Sequence, residues 1–140
     1  MAGVRRGVRD RCLEALRVLG TAVPFQMATV WACRDGRLVP AASVGRPLDL
    51  LESLPLAGGE GLRAWVFHHG RAVRVPSRGR GFRDSTLRGF LAVPLEYGNR
   101  RLGVLALART DGEFTDEDVR RVQEAAGRLA RALMREPDGE

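Results

Sequence analysis

Lysine and isoleucine are absent from this chain of 140 residues, and Asn99 is its single asparagine. All 23 basic residues are therefore arginine, and the formal charge is +6. Loss of whole residue types at every kind of position is the mark of a compositional bias, so the positive charge is not by itself a footprint for phosphates. Nucleic acid is not an expected partner. Cysteine is scarce as well: Cys12 and Cys33 are the only two, in no CxxC pair and with no histidine at ligand spacing. That excludes a disulfide framework and a structural zinc site, and leaves two reduced, half-buried thiols as the expected state. No apolar run approaches the roughly 20 residues that a membrane-spanning helix needs. The arginine-rich start lacks the apolar stretch and cleavage site of a signal peptide, so a cytoplasmic location is expected.

What is present fits one domain over 1–140, with 44% apolar residues and a core that needs no staple. The sequence divides into a terminal helix at 4–20, a core at 26–110 and a C-terminal helix at 115–135. In the first helix Val8, Cys12, Ala15, Leu19 and Ala22 recur at steps of four and three, with Leu13 and Leu16 beside them, and Pro24 ends it. Met27 to Arg34 is rich in strand formers, and Asp35-Gly36 is a hairpin signal before a second strand, Arg37 to Val44. Pro47 to Leu54 reads as a short helix, and Gly58 to Gly61 leads into another, Leu62 to His69, that Gly70 stops. Ala72 to Val75 is a short strand.

Pro76 to Arg88 lacks periodicity and carries Arg78, Arg80, Arg83 and Arg88, the kind of long loop that tends to hold function. Two strands follow, Gly89 to Tyr97 and Leu102 to Leu107, joined through Gly98-Asn99. Thr115 and Asp118 form a capping box for the last helix, in which Val119, Val122, Ala126, Leu129 and Leu133 are spaced as in a coiled-coil seam. Wide apolar faces on both terminal helices predict a homodimer built from them.

The wording Glu60-Gly61-Leu62 with Trp65-Val66-Phe67, then Ala72 to Val75, Leu91-Ala92-Val93-Pro94-Leu95, Leu102-Gly103-Val104-Leu105 and Phe114-Thr115 to Asp118 resembles a GAF domain over nearly the whole chain. The resemblance implies an α+β, PAS-related fold: a central antiparallel sheet of about five to six strands, terminal helices on one face, crossing helices and a loop on the other. It also implies a sensory or regulatory role, in which an unidentified small molecule sits between the sheet and the crossing segments and the domain acts on a separate signalling protein. No particular cofactor is implied. The branches with specific markers do not match. Cyclic-nucleotide-binding members carry an Asn-Lys-Phe-Asp-Glu pattern, which a chain without lysine cannot contain. Bilin-binding members attach the pigment through a cysteine beside a histidine in the crossing segment, and free methionine sulfoxide reductases use cysteines around the crossing loop. Cys12 and Cys33 lie elsewhere.

Candidate ligand-binding residues are Trp31, Trp65, His69, Arg83, Arg88, Leu91 and Val93. The tryptophans offer broad apolar walls, the arginines forked donors for a phosphate or carboxylate, and the strand aliphatics a floor. Each also has a plainer role: core packing for Trp31 and Trp65, solvent exposure for loop arginines, and a half-buried imidazole at the helix end for His69, with His68 facing solvent. Adjacent histidines on a helix point about 100° apart and do not share a metal, so no metal site is expected. No nucleophile has an activating partner, and the acids at 116–118 read as a helix start, so the chain is not expected to be an enzyme. The alternative is a thiol-based redox sensor or enzyme using Cys33, disfavoured because the crossing loop has no cysteine.

Overall fold

In the strand Met27–Arg34 every residue through Ala32 is buried, so this strand must be covered on both sides. The computed structural model shows how. It describes residues 6–45, 62–75 and 88–134, with the side chains of 62–65 and 75 excepted. Its elements are α1 (Arg6–Ala22), β1 (Met27–Arg34), β2 (Arg37–Val44), α2 (Leu62–His69), β3 (Val73–Val75), β4 (Gly89–Tyr97), β5 (Arg100–Arg109) and α3 (Asp116–Met134). The strands form one five-stranded sheet in the order β2-β1-β5-β4-β3, and every pairing is antiparallel. The expected helix at 47–54, the glycines at 58–61 and the loop at 76–87 lie outside the described residues.

Turn chemistry sets the two hairpins. Asp35 and Gly36 both have positive φ, 54° and 77°, as a type I′ turn requires, whereas at Gly98-Asn99 only Gly98 does, at 62°. Gly103 has a different reason to be glycine. A Cβ there would stand 2.0 Å from the carbonyl oxygen of Trp31, so β1 and β5 approach this closely only because position 103 has no side chain.

The two sheet faces are covered unequally. Ala28, Val30 and Ala32 of β1, Leu91, Val93 and Leu95 of β4, and Leu105 and Leu107 of β5 pack in one cluster with α1 and α3. From the helices, Val8, Cys12, Leu16 and Leu19 and then Val122, Ala126, Leu129 and Leu133 enter that cluster. The apolar stripe of α1 thus centres on Leu16, while Ala15 is only partly covered. Most of the residues that predicted a dimer seam are spent on the protein's own core, although Ala22 is exposed, and the outer helix faces carry Arg17, Glu14, Arg120 and Glu117 together with the exposed Val18. The opposite face is smaller, with Met27, Trp31, Val66, Phe90, Ala92, Val104, Ala106 and Ala108 under α2.

A largely buried ion pair ties the ends of the terminal helices together. Thr115 and Asp118 form the expected capping box, the Asp118 amide donating to Thr115 Oγ1 at 3.1 Å and the Thr115 amide to Asp118 Oδ2 at 2.9 Å. The same carboxylate accepts from Arg109 at 3.0 Å, and the two side chains are only 11% and 13% exposed. Arg109 also donates to the carbonyls of Pro24, just past α1, and Glu113, just before α3, and lies 4.3 Å over the Phe114 ring. Burial alone would push the Asp118 carboxyl up; the Thr115 amide, the Arg109 charge and the Thr115 hydroxyl outweigh it and hold the carboxyl below its ordinary value.

Candidate functional site

The face under α2 has an uneven relief that follows from strand register. Thr29 pairs with Ala106 across β1 and β5, Ala106 with Ala92 across β5 and β4, and Ala92 with Val73 on β3. A row of small side chains therefore crosses the sheet. On one side of it stand Trp31 and Val104, directly paired, and on the other Met27, Ala108 and Phe90. The result is a trough with an indole for one wall. At its β2 end Thr29 is 3% exposed, and its Oγ1 lies 3.2 Å from the hydroxyl of the exposed Ser43. This is the one polar pair on an otherwise apolar floor, and hydroxyls can donate or accept. The trough is closed: Trp31 is 4% exposed, Ala92 1% and Ala106 2%.

The helix over this face is short and is held at its end. Val66 is fully buried in the cluster and Phe67 packs partly against it. At the C-terminus the Gly70 amide donates to the Val66 carbonyl at 2.9 Å, with Gly70 in the left-handed region at φ 63°. The next carbonyls, of Phe67 and His68, both accept from Nη1 of Arg101 on β5, and Nε of the same guanidinium donates to Glu96 on β4 at 3.1 Å. A cation at a helix C-terminus is favoured by the partial negative charge there.

The sequence-predicted residues divide between the faces. Trp31 is on the α2 side, as expected of a wall. Leu91 and Val93 are fully buried in the cluster with α1 and α3, so on β4 it is Phe90 and Ala92 that face Trp31's side. His69 is exposed at the last turn of α2 and not half-buried; His68 is exposed as expected and meets the Phe67 ring edge-on at 5.6 Å. Arg88 is exposed, its amide bonded to the Arg109 carbonyl. Trp65 lies on α2, its side chain outside the described residues, and Arg83 is outside them altogether. The cysteines are also split: Cys12 is wholly buried beneath α1, tighter than the half-burial expected, and Cys33 is partly exposed. Strand parity separates the two sides, with alanine at 92, 106 and 108 against leucine at 91, 105 and 107, but carries no signal for which helices cover each.

Two open clefts flank the edge of β4. One of about 230 Å³ runs between α3 and β4, past Gly70, Pro94, Gln123 and Gly127, and a polar one of about 530 Å³ surrounds Phe67, Glu96, Asn99 and Arg101. Among the described residues no group of histidine, cysteine or acidic side chains could hold a metal, and no helix is long and apolar enough to cross a membrane.

Solved structures with this architecture are numerous in kind. The type II free methionine-R-sulfoxide reductase of Thermoplasma acidophilum superposes with a TM-score of 0.71 at 18% identity, covering 90% of this chain and 92% of that one. The GAF domain of a phosphoenolpyruvate-protein phosphotransferase from Coxiella burnetii gives 0.70 at 22% identity, covering 94% and 84%. That of a two-component sensor histidine kinase from Bacillus halodurans gives 0.65 at 16%, covering 89% and 92%. At these identities the likeness is one of fold. No curated protein sequence matches. The sequence pattern of the GAF domain does match, over residues 11–135, and with the five-stranded antiparallel sheet between two layers of helices it establishes that this chain belongs to the GAF domain family.

Proposed function

We propose that this protein is a non-catalytic sensory module that takes a small, largely apolar molecule on the α2 face and acts on a separate signalling protein. The observation that carries this is the trough of Thr29, Ala106 and Ala92 beside Trp31, on the sheet face opposite the terminal helices. Small floor residues beside one indole suit a compact planar group, and the Thr29–Ser43 hydroxyl pair suits one hydrogen-bonding substituent at its edge. GAF neighbours in a phosphotransferase and a sensor kinase fit a regulatory role. Reductase chemistry by paired cysteines does not suit this chain, because its only two thiols lie on different elements, one of them sealed under α1. A homodimer through the terminal helices would pair their charged outer faces, since their apolar faces are occupied.

Native mass spectrometry of the purified protein tests the proposal. The expected result is a retained small-molecule mass that Ala106→Leu, which fills the trough, abolishes. An unliganded mass, together with a metabolite screen that leaves the melting temperature unmoved, would count against it.

A further inference from the structure

A trough that is covered must open before anything enters it, and the covering element with described contacts is α2. Its C-terminal half is attached in two ways. Val66 is fully buried with Phe67 packed beside it, and the carbonyls of Phe67 and His68 both accept from one guanidinium, that of Arg101. Arg101 in turn is aimed by Glu96 from the neighbouring strand. Gly70 completes the arrangement: a Cβ there would lie 2.8 Å from Nη2 of Arg101, so the guanidinium rests against the bare backbone where the helix turns off.

The strength of this attachment decides what it can do. Arg101 and Glu96 are 40% and 44% exposed, at the mouth of the open polar cleft, whereas the Arg109–Asp118 pair that holds the terminal helices is 11% and 13% exposed. Exposed pairs exchange readily with water and contribute little on their own; buried ones do not let go without a large cost. A fastening of the first kind releases within the folded state.

We propose that Arg101, aimed by Glu96 and seated on Gly70, is a latch that holds α2 closed over the Trp31 face, and that its release is the step admitting a ligand. The inference rests on reading the α2 face as the ligand side. Arg101 acts through the helix terminus and is a positioning residue, not a ligand contact. Release needs no unfolding of the sheet, because the β4–β5 pairing through Tyr97↔Arg100 is made by the backbone and not by the Arg101 side chain.

The test follows Trp31 itself. In a Trp65→Phe background Trp31 is the only tryptophan, and acrylamide quenching reads its exposure. Arg101→Ala is expected to raise quenching severalfold and to speed exchange of the Gly70 amide about tenfold, the effect of losing charge-assisted bonds at a half-exposed site. Glu96→Gln, which keeps Arg101 but no longer aims it by charge, is expected to give a smaller change in the same direction. Exchange in α3 should stay unchanged in both. Unaltered quenching in Arg101→Ala, or faster exchange spread equally over α2 and α3, overturns the latch, the second because it signals loss of global stability. The ligand reading fails separately: raised quenching with no retained mass in native spectrometry leaves the latch standing and removes the proposed ligand.

Discussion

The two faces of the sheet are built from the same strands yet held in opposite ways. Against α1 and α3 the strands present Val30, Leu91, Val93, Leu105 and Leu107, large side chains that meet long helices and are locked at one end by Arg109 and Asp118. Against α2 they present Thr29, Ala92, Ala106 and Ala108 between the bulkier Met27, Trp31, Phe90 and Val104, beneath an eight-residue helix fastened by an exposed arginine. Leucine-on-leucine packing supplies stability by burying area, about 25 cal/mol per Å². Alanine buries little and leaves relief. The difference teaches that one sheet can be packed in two ways, with large side chains under two long helices on one side and a mix of small and large ones under a short helix on the other.

The comparison can be broken at its strongest point first. Arg109→Ala leaves the Asp118 carboxylate buried without its cation and strips donors from the Pro24 and Glu113 carbonyls, so a loss of about 3–5 kcal/mol is expected in urea unfolding. A loss below about 1 kcal/mol would mean that the clamp is ornamental. Leu129→Ala, at a fully buried position of α3, should cost about 2–5 kcal/mol by the same measurement.

Acid titration separates the clamp from the rest. The Asp118 carboxyl is held below its ordinary value in the folded state, so its contribution is fully present above about pH 4 and is lost as pH falls through the folded value. Asp118→Asn should therefore be less stable than the parent at neutral pH, and the gap should narrow in strong acid. A gap that is constant with pH would contradict the assignment. At the small end, Glu14→Gln breaks a fully exposed ion pair with Arg17 on the outside of α1 and should leave the melting temperature where it was.

Much of the fold was legible because turns and caps are local chemistry. Asp35-Gly36, Gly70, Gly98-Asn99 and the Thr115–Asp118 box each stand where the sequence predicts, and the strands and terminal helices lie between them. The destination of an apolar face is not local. The stripe of α3 fits a coiled-coil seam as well as a sheet, and only the tertiary packing shows that Val122, Ala126, Leu129 and Leu133 meet the protein's own strands. Leu91 and Val93 illustrate the same limit for the site, since alternation says that they share a side of β4 but not which helices lie over it. Arg101 carried no signal at all, being one of 23 arginines in a chain without lysine. Its role depends on a helix end that is 33 residues away in sequence.

Native-state hydrogen exchange at rising denaturant tests the inequality of the two faces most directly. Amides of α2, including the Gly70 N–H bonded to Val66, should exchange by a local opening that is insensitive to low denaturant, while those of α3 around Leu129 exchange only by global unfolding. If α2 and α3 instead follow one denaturant-dependent opening, the sheet has a single indivisible core and the α2 face is not a separate, adaptable side.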